Sequence, residues 1–261
     1  MANEGRRAAG CGCSVILAVI LIIALVAWAF SVFGGSEGAR TLQPVPDTTP
    51  PSAGAEVPVI DVHAPGRTSD KLGFWAKPLA EQTGIPESAL RAYGNAELIA
   101  TEAWPQCHLR WTTLAGLGYV ETRHGTYSGK WFNHSSIGED GVVDPPIVGI
   151  ALDGSPGVAE IPDTDAGRLD GDTEYDRAVG PMQFIPESWG RFGLDASGDG
   201  KADPQQIDDA ALSAAKLLCH GRDLSQADQW VDAIHAYNMS QDYLIKVRNA
   251  ANSYALGQPA P

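Results

Sequence analysis

The stretch Leu114-Ala-Gly-Leu-Gly-Tyr-Val-Glu121 constrains the fold most, because it carries one carboxyl at the end of an apolar helical pattern. Leu117 and Leu114 precede Glu121 by one and by two helical turns, so all three occupy one face of a helix. The pattern predicts a carboxyl set in an apolar wall, where burial raises its pKa toward the value that a general acid needs. The alternative is a partly exposed carboxylate near a helix end, paired with Arg123 or His124.

The composition excludes one class of partner. The chain has 261 residues, of which 44% are hydrophobic and 19% charged, and this suits one globular domain with additional segments. The formal net charge is −14. A nucleic-acid partner needs clustered Lys and Arg, so none is expected.

The N-terminus predicts a membrane anchor. Residues 14–33, Ser-Val-Ile through Ser-Val-Phe, are apolar and long enough to cross a bilayer as a helix. Arg6 and Arg7 precede them, so residues 1–13 are expected in the cytoplasm and the bulk of the chain outside it, in a single-pass arrangement. A cleaved signal peptide, with Ala27-Trp-Ala29 as the cleavage pattern, is the alternative. Cys11 and Cys13 have no readable role.

A linker is predicted over residues 34–67, since its first part, Gly34 to Val59, contains five prolines and few apolar anchors. A folded domain is expected over residues 68–256, followed by a short tail at 257–261. Cys107 and Cys219 would both lie outside the membrane, where such a pair usually forms a disulfide. Two buried free thiols or a metal site are the alternatives.

The domain is predicted to be mainly α-helical. Apolar periodicity favours helices over 71–83, 85–104, the segment ending at Glu121, 209–220 and 225–237, with Ser225 in a capping-box pattern. Ser240 is expected to cap a last helix whose Tyr243, Val247, Ala250 and Tyr254 form one face. Residues 147–152 and 158–161 favour a small β-hairpin inside a long Gly-, Pro- and Asp-rich insertion.

Three segments carry a family resemblance: Glu121-Thr-Arg-His-Gly125, Gly180-Pro-Met-Gln-Phe-Ile-Pro186 and Ala236-Tyr-Asn238. Their order and spacing resemble the lytic transglycosylases of bacterial cell walls, in particular the membrane-bound B-type branch of the lysozyme-like superfamily. The likeness extends over roughly residues 68–256. It implies a lysozyme-like α-helical domain that acts as a lyase on peptidoglycan glycan strands and needs no cofactor for catalysis.

The resemblance also implies a mechanism with one carboxyl group. Glu121 would protonate the glycosidic oxygen between N-acetylmuramic acid and N-acetylglucosamine, while the 2-acetamido group assists at the anomeric carbon. Glu121 would then accept the proton of the C6 hydroxyl as a 1,6-anhydro ring closes. A paired-carboxylate glycosidase, in contrast, needs a second acidic residue.

Further site residues follow from the same segments. Gln183 is expected to bind the acetamido group or sugar hydroxyls, and Tyr237 is expected to form a hydrogen bond near Glu121 or with the acetamido group. Asn238 is expected to fix the local backbone or to contact the ligand. Thr122 keeps the hydroxyl of the Ser that is common in the wider family. Met182 and Phe184 are expected either to form apolar walls near Glu121 or to pack in the core. Tyr127 and Ser128 are expected either to line the cleft or to lie in a solvent-exposed turn.

A loop resembling the start of an EF-hand suggests structural calcium. Its spacing places oxygen ligands at the first, third and fifth positions with Gly at the sixth, but Gln206 stands at the twelfth, where a bidentate Glu is needed. Some B-type relatives close a longer loop with an Asp. The candidate ligands are Asp195, Ser197, Asp199, the carbonyl of Lys201, and Asp209; a metal-free turn is the alternative.

Two other functions compete with lytic transglycosylation. A hydrolytic muramidase would position water with a carboxylate across the cleft, such as Glu139, Asp140, Glu174 or Asp176. A non-catalytic, calcium-dependent wall-binding module would keep the fold without turnover.

Overall fold

The computed structural model describes residues 42–127 and 134–261, and residues 44–261 form one compact unit. The predicted anchor at 14–33, the preceding residues 1–13 and the first part of the linker lie outside the described residues. Within the described ranges, no helix has the length and apolar character needed to cross a bilayer.

The described residues are mainly helical, as predicted. A short 3-10 helix, Thr68–Leu72, precedes the α-helices. The α-helices are α1 Gly73–Thr83, α2 Glu87–Ala103, α3 Trp111–Thr122, α4 Pro186–Phe192, α5 Ile207–Cys219, α6 Ala227–Tyr237 and α7 Gln241–Ala255. The short strands are β1 Ser136–Ile137, β2 Val143–Asp144, β3 Val148–Ala151 and β4 Arg177–Val179.

The core is built on the packing of α3 against α7. Leu114 and Leu117 of α3 are fully buried, as is Val247 of α7. The two helices approach closely because residue 116 is glycine: a Cβ there would lie 2.6 Å from the carbonyl oxygen of Val247. The predicted apolar face of α7 is confirmed by its burial, and Ser240 caps this helix through the backbone N–H of Tyr243.

The capping prediction at Ser225 is wrong. Helix α6 begins at Ala227, and its N-cap residue, Gln226, makes no side-chain capping bond. The Ser225 hydroxyl instead donates to Asp223 Oδ1 at 2.7 Å. A neighbouring carboxylate thus competes successfully for the hydroxyl, as is common for Ser outside helices.

The predicted hairpin forms only in part. Leu152 and Ile161 share a backbone hydrogen bond and Asp153 bridges to Glu160, but no strand forms over 158–161. Strand β3 pairs instead, antiparallel, with β4, where Val148 lies opposite Val179. Val179 is fully buried, whereas 158–161 is exposed or half-buried, so the core favours the more distant partner.

The folded unit begins earlier than the predicted boundary at residue 68. Within the segment 48–57, Thr48 donates a hydrogen bond to Asn252 of α7, and the carbonyl of Ala55 accepts one from the indole of Trp111. Val57 is buried in the core. Residues 48–67, the later part of the predicted linker, therefore form a strap that is bound to the domain rather than a free tether.

The predicted disulfide between Cys107 and Cys219 is present, with the two Cα atoms 5.2 Å apart. It joins the turn before α3 to the last residue of α5 across a sequence separation of 112. The bridge therefore connects the segment that leads into α3, the helix that carries Glu121, to the C-terminal end of α5.

Replacing both cysteines by alanine should lower the free energy of unfolding by about 4 kcal/mol, because the unfolded chain regains the entropy of a long loop. Urea unfolding of the full chain, compared with the parent under oxidising conditions, measures the effect. Treatment of the parent with a reductant should shift its transition in the same direction. An identical transition for both proteins would contradict a stabilising bridge.

Candidate active site

Glu121 lies in the last turn of α3, at the wall of a cleft of about 310 Å³. The cleft is bounded by the end of α3, by β4 and the turn that follows it, and by α4, α5 and the end of α6. The lining residues are Glu121, Ala178, Gln183, Phe184, Ile185, Ser188, Leu217, Ala236, Tyr237 and Asn238. Sequence segments that are distant along the chain thus meet around one carboxyl group.

The environment of Glu121 suits a proton donor near neutral pH. Burial raises the pKa of the carboxyl to about 7, and a hydrogen bond from the Tyr243 hydroxyl to Oε1 works in the opposite direction. The pKa of Tyr243 is itself raised well above its usual value by burial, and secondarily by the charge of Glu121, so this phenol stays a donor. The sequence predicted a raised pKa for Glu121 because of an apolar environment, and burial is indeed the main cause.

The alternative pairing of Glu121 with Arg123 or His124 is not found. The guanidinium of Arg123 lies over the ring of Tyr119, 3.9 Å from its centroid. His124 is buried, with its ring nitrogens hydrogen-bonded to the hydroxyls of Tyr93 and Tyr254. Burial, with the nearby charge of Arg123, lowers the pKa of His124 to about 3, so the imidazole is neutral.

The turn between Val179 and Phe184 presents Gln183 to the cleft. Backbone hydrogen bonds in both directions between Val179 and Phe184 close this turn. Gly180 has a φ of 76°, and a Cβ there would lie 1.8 Å from the carbonyl oxygen of Pro204, so only glycine fits. The Gln183 side chain lines the cleft, and its amide nitrogen donates to the Gly180 carbonyl at 3.0 Å.

Two hydroxyl groups fix this turn beside Glu121. Thr122 donates to the carbonyl of Pro181 at 2.6 Å and accepts from the N–H of Gly125 at 2.7 Å. Tyr237 donates to the carbonyl of Met182 at 2.6 Å. Each of the three sequence segments that carry the family resemblance therefore takes part in one hydrogen-bonded junction.

The other predicted site residues divide between cleft and core. Phe184 lines the cleft and packs edge-on against Tyr237, with 5.8 Å between the ring centroids. Asn238 also lines the cleft, while its Oδ1 accepts the N–H of Ser240, so it holds the backbone and faces the ligand space at once. Met182 is fully buried and belongs to the core.

Two further predictions concern the segment after Gly125. Tyr127 is exposed, and within the part of the chain that the structure describes it does not belong to the residues lining the cleft. Ser128 lies outside the described residues. The Tyr237 hydroxyl bonds the carbonyl of Met182 in the turn beside Glu121, whereas the phenol that bonds the carboxylate itself belongs to Tyr243.

Two site residues were not predicted as such. The sequence pattern assigns Tyr243 to the apolar face of the last helix, and it does not single out Ser188. Tyr243 falls on the apolar face of α7 and is buried as predicted, but its hydroxyl reaches Glu121. A tyrosine at the start of an otherwise apolar face is a usable signal, because its hydroxyl needs a partner when buried. Ser188 of α4 offers a hydroxyl to the cleft.

In the EF-hand-like loop, the carboxylates of Asp195 and Asp209 accept hydrogen bonds from the loop itself. Asp209 accepts backbone N–H groups from Ala196 and Ser197 on one oxygen and from Asp203 on the other. Asp195 likewise accepts the backbone N–H of Gly198 and Gly200. These bonds satisfy the segment as a metal-free turn, and the calcium site in this loop stays a prediction.

A different acidic group comes together in the described ranges. Asp163, Asp165 and Asp176 each offer one carboxylate oxygen, and these oxygens lie within 4.8 Å of one another. Asp176 is fully buried, and its two oxygens accept the N–H and the hydroxyl of Thr164. The group lies in the insertion between β3 and β4, and its spacing is compatible with a cation.

Comparison with known proteins gives one family match. A family profile described as "Transglycosylase SLT domain" matches residues 164–253. The match includes the Gly180–Pro186 and Ala236–Asn238 segments and begins after Glu121. It confirms the resemblance to lytic transglycosylases that these segments carry, whereas the B-type branch stays a prediction.

Two solved structures are similar to the chain. They are the Escherichia coli lytic transglycosylase Slt35 in complex with bulgecin A, at 16% identity, and the same enzyme in complex with calcium, at 15% identity. Each alignment covers 75% of this chain and 81% of the other, with a TM-score of 0.42. A search of curated protein sequences gave no match.

Replacing Thr122 with valine should destabilise the domain by about 2 kcal/mol, because the carbonyl of Pro181 and the N–H of Gly125 lose a buried partner. Urea unfolding measures the loss. Thr122→Ser, which keeps the hydroxyl, is the matched control and should stay within about 1 kcal/mol of the parent. Equal stability of the valine and parent proteins would show that this hydroxyl does not hold the turn.

Replacing Tyr243 with phenylalanine should raise the pKa of Glu121 above its value of about 7, since the hydrogen bond that lowers it is removed. A general acid must be protonated, so the fall of activity at high pH should move to higher pH. Tyr237→Phe is the control, because that hydroxyl bonds Met182 and not Glu121. A pH profile that moves equally in both variants would contradict this assignment.

Proposed function

We propose that this chain, a lytic transglycosylase of the lysozyme-like superfamily, cleaves peptidoglycan glycan strands with Glu121 as its only acid and base. The bond broken is the β-1,4 linkage between N-acetylmuramic acid and N-acetylglucosamine. The product carries a 1,6-anhydro-N-acetylmuramic acid end. The family match supports the enzyme class, and the geometry of the cleft supports the finer mechanism.

One observation favours single-carboxyl chemistry. Among the described residues that line the cleft, Glu121 is the only carboxylate. Burial holds its pKa near 7, so the protonated form is well populated at neutral pH. In most glycosidase families, chemistry that consumes water uses a second acidic group to activate the water or to form a covalent intermediate. A transfer to the substrate's own hydroxyl does not.

The proposed reaction uses Glu121 twice. Its carboxyl first protonates the glycosidic oxygen, the bond to the anomeric carbon breaks, and the 2-acetamido group of the muramic acid residue stabilises the positive charge that develops there. The Glu121 carboxylate then accepts the proton of the C6 hydroxyl, whose oxygen bonds to the anomeric carbon. The carboxyl returns to its protonated state, and no water molecule is consumed.

The remaining cleft residues have roles that follow from their chemistry. The Gln183 side chain carries an amide that can accept from, or donate to, an acetamido group or sugar hydroxyl. Phe184, held edge-on by Tyr237 and Trp189, provides an apolar wall for a sugar ring. Tyr243 bonds the ionised form of Glu121 and so stabilises the state formed after protonation of the leaving group.

A hydrolytic muramidase is less well supported. Its candidate second carboxylates do not line the cleft in the described part of the chain. Asp176 is buried and bonded to Thr164, and Asp140 accepts the N–H of Val142 in its own turn. Glu139 and Glu174 are exposed side chains elsewhere on the surface.

We also propose that residues 14–33 anchor the enzyme in the cell membrane, with the catalytic domain on the extracytoplasmic side. The apolar length of this segment and the preceding Arg6 and Arg7 support this orientation. The Cys107–Cys219 disulfide supports it independently, because such bridges persist in oxidising compartments. Peptidoglycan, the proposed substrate, lies on the same side.

Digestion of purified peptidoglycan by the full chain should release muropeptides that are lighter by one water than the hydrolytic products. Mass spectrometry of the digest distinguishes the two reactions. Release of muropeptides with a reducing muramic acid end would refute transglycosylation and favour the muramidase.

Replacing Glu121 with glutamine should abolish cleavage while binding to peptidoglycan is retained. The variant should also be more stable than the parent above neutral pH. The folded-state pKa of Glu121, about 7, exceeds the ordinary value of 4.5, so the parent loses stability as the pH rises through this interval. Retained cleavage by the variant would remove Glu121 from the mechanism, and binding without turnover by the parent would favour a wall-binding module.

A further inference from the structure

A cavity of about 550 Å³ lies apart from the catalytic cleft. Its walls are residues 62–66 of the strap, the adjoining Thr68, the end of α2, one side of α5 and the beginning of the Asp195 loop. It shares no lining residue with the cleft. Helix α5 contributes Leu212 to the cavity and Leu217 to the cleft, five positions apart and therefore on different sides of the helix.

The strap wall is held in place by buried charge. The Arg67 side chain is largely buried; its Nε donates to Asp208 Oδ2 at 2.7 Å, and its Nη1 to the carbonyl of Glu139 at 2.6 Å. Asp208 is itself buried in the first turn of α5. A wall tied in this way gives the cavity a defined shape before any ligand arrives, which lowers the entropic cost of binding.

The cavity combines an apolar floor with an acidic rim. Ile99, Ala103 and Leu212 supply apolar surface, while Glu102 and Asp195 supply carboxylates. No Lys or Arg belongs to the lining among the described residues. This pattern is complementary to a ligand with an aliphatic stem and a positively charged end.

Glu102 is placed to receive such a charge. Its Oε2 is hydrogen-bonded to Nε2 of His63, at 2.8 Å, which joins the rim of the strap to the end of α2. A carboxylate has about four acceptor positions, so this one bond leaves capacity for an ammonium group. The volume and the apolar floor fit an alkyl amine within a short peptide better than a bare metal ion, which prefers a small cage of oxygen ligands.

We propose that this cavity is a second substrate-binding site, which takes the amine-bearing side chain of a peptidoglycan stem peptide. The proposal rests on the proposed function, since peptidoglycan carries short peptides with a diamino acid. The alkyl stem packs on Ile99 and Leu212, and the ammonium group pairs with Glu102, since the oxygens of Asp195 already accept the N–H groups of its own loop. The strap thus becomes a substrate-recognition element of the enzyme.

The test measures binding of a synthetic stem tripeptide, L-alanyl-γ-D-glutamyl-L-lysine, to the full chain in detergent by calorimetry. The matched probe is the same peptide with its ε-amine acetylated, which keeps the stem and removes the charge. The amine-bearing peptide should bind, and acetylation should weaken binding by about fivefold or more. Equal affinity for both peptides, or binding of neither, overturns the proposal.

Two variants and a control locate the bound peptide. Glu102→Gln should weaken binding of the amine-bearing peptide about fivefold and leave that of the acetylated peptide unchanged. Ala103→Trp should block the cavity and abolish binding of both. Glu56→Gln removes an exposed carboxylate of the strap outside the cavity and should have no effect. Equal losses in Glu102→Gln and Glu56→Gln would overturn the proposal, as would full binding by Ala103→Trp.

Failure of this proposal is separable from failure of the proposed function. The tripeptide contains no sugar, so its binding does not depend on Glu121 or on cleavage. If the full chain releases anhydro-muropeptides but does not bind the tripeptide, the second site is refuted and the enzymatic function stands. If the tripeptide binds as expected and no anhydro product forms, the cavity stands as a peptide site and the proposed reaction fails.

Discussion

The site depends on the hydrogen bonds that two hydroxyl groups make to adjacent carbonyls of one turn. Thr122 holds the carbonyl of Pro181, and Tyr237 holds that of Met182. The first hydroxyl follows the acid in the chain, and the second ends α6, so the turn is fixed from both sides. Gln183 comes next in the turn, and its position relative to Glu121 follows from these two bonds. Neither carbonyl belongs to a helix, so without the hydroxyls both would lack partners in a buried place.

The packing of α3 on α7 supplies the other half of the arrangement. Gly116 lets the backbones come close, and this closeness places Tyr243, at the start of α7, within reach of Glu121 at the end of α3. His124, immediately after the helix, is locked between the hydroxyls of Tyr93 and Tyr254. The end of α3 therefore has little freedom to swing its carboxyl group toward solvent. A rigid support of this kind is what general acid catalysis requires.

Local patterns predicted much of this fold, because helices are specified by neighbouring residues. The helix that carries Glu121, the cap at Ser240 and the Cys107–Cys219 pairing all follow from spacing and composition. The pairing of β3 with β4 could not be read in the same way, since the insertion between them offers a nearer and equally plausible strand.

In the strap and in the site, the sequence also does not predict which residues contact each other. Proline-rich composition indicates an extended chain but not the surface on which it lies, and here the Trp111 indole binds the carbonyl of Ala55. The choice between Tyr237 and Tyr243 as the partner of Glu121 depends on how two helices meet. Spacing of acidic residues predicts a calcium site at Asp195, but it does not reveal that backbone N–H groups of the same loop bond these carboxylate oxygens.

The pKa of Glu121 follows from two opposed effects, and their balance suits a group that acts in both directions. Burial favours the neutral carboxyl, and the Tyr243 hydrogen bond favours the carboxylate. Burial alone would make the group a poor acid, and the hydrogen bond alone would leave it ionised at neutral pH and unable to donate. With the pKa near 7, donation and acceptance of the proton cost similar free energies at neutral pH. One carboxyl can then serve both steps of the proposed reaction, so the cleft has no need of a second.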